Sequence, residues 1–117
     1  MSLEENKAIV RRWIEEINKG NLGILDGLVA PDFFHPTHQL RGPEGIKQFY
    51  TMFLNVFSDI HETVKDIIAE GDKVWFLEKV TGTSSSGKKM DATALTILRI
   101  VNGKAVEGWG GYIQKTP

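Results

Sequence analysis

The hydrophobic period of this chain changes once, near Ile60, and that change decides the class of fold. Before it, apolar residues recur at three- and four-residue spacing; after it they alternate. Helices first and strands afterwards predict an α+β domain, with the helices packed on a curved antiparallel sheet. Ile9, Val10, Trp13, Ile14 and Ile17 make one stripe of a first helix, opposite the charged Arg11, Arg12, Glu15, Glu16 and Lys19. Ser2 and Glu5 have the capping-box spacing that starts it, and Gly20 is placed to end it. A short second helix carrying Leu22, Leu25, Leu28 and Val29 is expected to stop at Pro31. Gly42-Pro43-Glu44 opens a third, whose apolar face is Ile46, Phe49, Tyr50, Phe53, Leu54 and Phe57.

Four strands are predicted beyond the switch, over 60–69, 74–83, 88–101 and 104–114. Asn102-Gly103 marks a two-residue hairpin, because both residues accept positive φ. With that turn and no bulge, Leu98 faces Glu107 and Thr96 faces Trp109. Alternation then puts Ala92, Ala94, Thr96, Leu98, Glu107, Trp109 and Gly111 on one side. Small residues around a tryptophan leave space, so this side is read as a pocket wall.

Composition narrows the functional classes. The 117 residues suit one domain, taken as 1–117. Lys plus Arg number 14 against 15 Asp plus Glu, which argues against nucleic acid as a partner, since phosphate binding needs a cationic surplus. With no cysteine there is no disulfide, thiolate nucleophile or thiolate metal site. No apolar run reaches membrane-spanning length and the start is acidic, so a cytoplasmic protein is expected, with no membrane partner.

Five segments resemble the SnoaL-like polyketide cyclase (ester cyclase) family of the nuclear transport factor 2-like superfamily. They are Leu28-Val29-Ala30-Pro31-Asp32-Phe33, Arg41-Gly42-Pro43-Glu44-Gly45-Ile46, Ala69-Glu70-Gly71-Asp72-Lys73-Val74, Val80-Thr81-Gly82-Thr83, and the stretch from Leu98 to Glu107. They run in family order over nearly the whole chain. The resemblance implies a cone of three helices on a curved sheet, holding a small hydrophobic molecule without metal or organic cofactor. It also implies a general acid/base three residues before Arg99, where this chain has Thr96, and a His before the last-strand Trp, where it has Gly108. The stretch after Gly82-Thr83 is shorter than in typical members.

The ketosteroid isomerases, which share the fold, offer a second comparison. It places His35, directly before Pro36, in the slot of their carboxylate base, and Trp13 and Thr96 at their oxyanion-binding positions. Imidazole is a competent base near neutral pH, and indole N–H and threonine O–H can donate to a developing oxyanion.

The expected site is therefore His35, Thr96 and Trp13 as catalytic groups. Tyr50, Phe53, Phe57, Ala92, Ala94, Glu107 and Trp109 are expected to bind the substrate. Each has a plainer reading: His35 as a turn-capping loop histidine, Trp13 and the third-helix aromatics as core, and Glu107 as a rim residue paired with a cation. His35 and His38 have H-x-x-H spacing, but a zinc site would need Asp32 or Glu44 as well, and no metal is expected. Ser84, Ser85 and Ser86 lack a nucleophile-elbow context. Leu95 and Ile97 alternate away from the pocket and leave an apolar outer face, from which a homodimer is expected. The leading functional reading is a cofactor-free cyclase or isomerase moving a proton on a small hydrophobic carbonyl compound. The alternative is a non-catalytic binding member, or an engineered variant, of the same fold.

Overall fold

A computed structural model describes residues 1–115; Thr116 and Pro117, the end of the expected domain, lie outside the described residues. Helix α1 (Leu3–Asn18) starts as the Ser2–Glu5 spacing requires. The Ser2 hydroxyl accepts from the Glu5 N–H at 3.0 Å, and Glu5 Oε1 accepts from the Ser2 N–H at 2.9 Å. Its stripe of Val10, Trp13, Ile14 and Ile17 is buried. Beyond Gly20, a 3₁₀ turn (Leu22–Ile24) runs straight into the four-residue α2 (Leu25–Leu28). Helix α3 (Gly42–Val56) carries Pro43 in its first turn. Among the described residues no helix is long and apolar enough to cross a membrane.

The sheet has six strands: β1 (Val29–His35), β2 (Leu40–Arg41), β3 (His61–Glu70), β4 (Lys73–Thr83), β5 (Lys89–Val101) and β6 (Lys104–Lys115). Their order is β2-β1-β6-β5-β4-β3, and only the β1–β6 pair is parallel. The last four are those the alternation predicts. β1 and β2 are not, because Pro31 reads as a stop. The proline is tolerated where it lies: the β1–β6 register shifts between Val29 and Phe34, and a ladder irregularity is where a missing N–H is cheapest.

The β5–β6 hairpin keeps the expected turn, with Asn102 and Gly103 at φ 51° and 81° and Val101 opposite Lys104. Its expected register needs correction one step further on. Ile100 faces Ala105 but Arg99 faces Glu107, so Val106 is an extra residue on β6. Beyond this bulge every β6 side chain changes face. Leu98 is opposite Gly108, Ile97 opposite Trp109, and Thr96 opposite Gly110. The same register brings Tyr112 opposite Ala94, and a second irregularity follows it, where Thr93 pairs with Gln114. The inner face thus receives Tyr112 in place of Glu107 and Trp109. The helices cover this face, and the main core joins Val10, Trp13 and Ile14 of α1 to Phe33, Val74, Phe76 and Leu98 of the sheet.

Candidate functional site

Between α1, α3 and the inner face lies a cavity of about 100 Å³. Trp13 (α1), His35 (β1), Tyr50 (α3), Glu62 (β3), Glu78 (β4), Thr96 (β5) and Tyr112 (β6) all reach it, so seven elements each contribute a polar side chain. Small residues on the sheet make the room: Ala94 lines the wall, and Gly108 lets Phe33, His35 and Leu98 close over β6.

The expected residues separate into two groups. His35, Thr96, Trp13, Tyr50 and Ala94 meet at the cavity; Phe53, Phe57, Ala92, Glu107 and Trp109 do not line it. Ala92 is buried with Val80 and Met90 in a smaller cluster against Phe57. Phe53 meets Phe49 and Tyr112 edge-on at centroid distances of 5.0 and 6.0 Å, beside the cavity. The bulge at Val106 sends Glu107 and Trp109 to the outer face. There Arg99 Nη1 donates to Glu107 Oε1 at 3.0 Å, while its Nε donates to Asp72 at 2.8 Å.

His35 is buried at the end of β1. Its Nδ1 accepts from the His38 backbone N–H at 3.3 Å, and the His38 ring stacks on it at 5.0 Å. An accepting Nδ1 places the proton of the neutral ring on Nε2, so the ring offers a donor rather than a lone pair. Burial lowers its pKa from 6.5, and the charge of His38 adds to the effect. At neutral pH the ring is therefore uncharged. The H-x-x-H spacing serves this stacking, and among the described residues no group of three or more His, Cys, Asp or Glu is arranged to hold a metal.

Two carboxyls in the cavity were not anticipated. Glu62 and Glu78 are 8% and 7% exposed, and Oε2 of each is buried with no hydrogen-bond partner. Glu62 faces Val80 and Val64 faces Glu78, so the two carboxyls are diagonal neighbours on the inner face. Asn18 fixes the strand under Glu62, accepting from its N–H and donating to its C=O, both at 2.8 Å. Burial raises Glu62 to about 7, with the Tyr50 hydroxyl pulling the other way. Burial, then the charge of Glu62, raises Glu78 to about 9. The same surroundings push Tyr112 up to about 12 and Tyr50 well above 10, burial first in each case. The signal was present in β4, where Val74, Phe76, Glu78 and Val80 share one alternating row and only one is charged.

Comparison with known proteins shows what the chain is similar to. The family described as SnoaL-like polyketide cyclase matches residues 7–112. The chain belongs to that family. AclR, a candidate hydroxylase from Streptomyces galilaeus, is 26% identical with a TM-score of 0.85, over 95% of this chain and 76% of its own. A candidate polyketide cyclase from Bacillus cereus is 28% identical with a TM-score of 0.85, over 93% of this chain and 74% of its own. IdmH, a candidate polyketide cyclase from Streptomyces antibioticus, shares the fold at 24% identity and a TM-score of 0.82, over 92% and 91%. No curated protein matches the chain. The three helices on a six-stranded curved sheet are thus the nuclear transport factor 2-like architecture that the sequence motifs resemble.

Proposed function

We propose that the cavity takes a small hydrophobic carbonyl compound and moves a proton at the carbon beside the carbonyl, without a cofactor, as a cyclase or isomerase. One observation carries this reading: a neutral imidazole N–H and a carboxyl titrating near neutrality share one cavity. The His35 Nε2–H and the Thr96 hydroxyl donate to the carbonyl oxygen. The Glu62 carboxylate takes the proton from the adjacent carbon. The C–H electron pair becomes the enolate, with its charge on the oxygen those donors hold. Return of the proton elsewhere gives an isomer; attack of the enolate carbon on a second carbonyl closes a ring. His35 is thereby recast from base to electrophilic donor, and Trp13 acts through Tyr50. The polyketide cyclase name of the Bacillus cereus relative agrees with this class of chemistry.

A second reading, in which the pocket only holds its ligand, is favoured by Thr96 at the position where the family resemblance implies an acid. Proton exchange separates the two. Cyclohexanone in D₂O should gain deuterium beside its carbonyl faster with the protein than with buffer. Glu62→Gln should lower that rate by ~10²–10⁴-fold, the usual worth of a general base. No acceleration with any small cyclic ketone would leave the binding reading.

The same proposal includes a pair of chains joined through the outer face of the sheet. Bringing Trp109 outward sets it opposite Ile97, which faces Trp75, which faces Ile68. Trp75 and Ile68 are 41% and 60% exposed. The Lys79–Asp91 and Arg99–Glu107 ion pairs lie on the same face, giving this apolar row the charged border a self-complementary contact uses.

A further inference from the structure

We infer that the Glu78 end of the cavity is a seat for a protonated nitrogen, so that the ligand is a compound about one ring in size carrying a primary amine or a similar cationic group. This goes beyond the proposed proton transfer and holds equally if the ligand is only bound.

The starting point is two buried carboxyl oxygens without partners. Glu62 Oε2 and Glu78 Oε2 are both buried, both unpartnered, and their side chains line the same cavity. Leaving such atoms unmade costs about 1–3 kcal/mol each, and more where charge is involved. No lysine or arginine is among the cavity-lining residues. Among the described residues the cavity thus has no permanent cation of its own.

The donor count selects the ligand chemistry. A carbonyl ligand brings no donor and a hydroxyl brings one, whereas a primary ammonium brings three and a positive charge. Trp13, Tyr50 and Tyr112 line the same space, and aromatic walls are favourable surroundings for a cation. Size fixes the rest: an apolar cavity of about 150 Å³ is known to hold benzene, so about 100 Å³ admits one ring at most without movement.

Charge bookkeeping makes the exchange cheap. At neutral pH the empty pair keeps a proton on Glu78, because burial and the neighbouring Glu62 disfavour its ionised form. An ammonium can replace that proton with no change in net charge, which leaves Glu62 free to titrate. The other titratable groups lining the cavity are Tyr50, Tyr112, His35 and His38. Both tyrosines are pushed above their ordinary range, and His35 is held neutral, so none of these three supplies a compensating charge.

The test uses the whole chain and benzylamine, with benzyl alcohol as the uncharged control, by titration calorimetry. Benzylamine is expected to bind saturably and release about one proton, seen as a heat that varies with the buffer. Its affinity should rise about tenfold per pH unit from pH 6 to pH 8, as one displaced proton requires. Glu78→Gln should abolish the proton release and weaken benzylamine at least tenfold, with little effect on benzyl alcohol. Proton release is read on the unmodified protein, so a misfolded variant does not decide the matter. Equal affinity for benzyl alcohol, a flat pH dependence, or no saturable benzylamine binding at millimolar concentration would each overturn the inference. Ketone exchange is unaffected by any of these results, so the proposed reaction stands or falls separately.

Discussion

The indole Nε1–H of Trp13 donates to the Tyr50 hydroxyl at 3.1 Å, tying α1 to α3 across the cavity. Tyr50 in turn bears on Glu62, whose acidity its hydroxyl increases. A tryptophan on the first helix thus influences a carboxyl on the third strand without touching it. Hydrogen bonds in such a chain polarise one another.

Trp13→Phe keeps an aromatic ring and removes the donor. The fold should survive with a loss of ~1–2 kcal/mol, read from urea denaturation, for a hydrogen bond and part of a buried ring. The Glu62 midpoint, followed by carboxyl NMR, should move upward because Tyr50 becomes a weaker donor. An unchanged midpoint would disconnect Trp13 from the site.

Ala94 borders the cavity from the central strand. Ala94→Phe should fill the space and block small ring ligands, including benzylamine, while melting close to wild type, since overpacking is costly only where no void exists. Retained binding in a folded variant would mean that the ligand sits elsewhere.

Gly110 is where β6 presses hardest on β5. Its φ of 114° lies outside the range of ordinary residues, and a Cβ there would overlap the Leu95 carbonyl oxygen. Gly110→Ala should therefore cost ~3 kcal/mol or more and disturb the Thr96–Tyr112 wall, as Ala does where φ is positive and the backbone is close. Thermal melting measures it. Gly87, also at positive φ but with open space around it, is the control and should tolerate alanine far better.

Much of this architecture was legible because local rules carry it. Three-to-four spacing gave α1 and α3, alternation gave β3 to β6, and Asn102-Gly103 set the hairpin turn. What escaped was non-local. Pro31 reads as a helix stop, and pairing with β6 and β2 is what makes Val29–His35 a strand. The residue at Val106 that bulges has no sequence mark, yet it exchanges Glu107 and Trp109 for Tyr112 at the inner face. Glu78 was visible as a charge on an apolar row; that Glu62 meets it depends on the β3–β4 register, which no single strand encodes. Trp13 and Thr96 lie on periodic rows that face inward, whereas His35 came to the cavity by resemblance alone.

The outer row of Ile68, Trp75, Ile97 and Trp109 predicts that two chains associate. Light scattering at micromolar concentration should give twice the chain mass. Trp75→Lys, at the centre of the row, should return it to the single-chain value with the helical signal unchanged. A single-chain mass for the unmodified protein would remove the pairing from the proposal.

The buried carboxyl pair should also mark the pH dependence of stability. A carboxyl whose pKa is raised on folding binds more protons folded than unfolded between the two values, so stability falls as pH rises through that window. For Glu78 the window runs from 4.5 to about 9, and for Glu62 from 4.5 to about 7. His35 acts in the opposite sense, because its pKa is lowered: its contribution is lost as pH falls below 6.5. Comparing Glu78→Gln with the wild type cancels the histidine. Glutamine keeps the shape and cannot ionise, so the variant should gain on the wild type as pH rises. By pH 8 the gain should reach ~2–4 kcal/mol relative to pH 4.5, a figure held below the full shift at 1.36 kcal/mol per pKa unit to allow for relaxation around the pair. Chemical denaturation at pH 4.5, 6 and 8 gives the difference directly. A difference that stays constant across that range would mean that Glu78 ionises freely in the folded protein, and its carboxyl would have to be open to water.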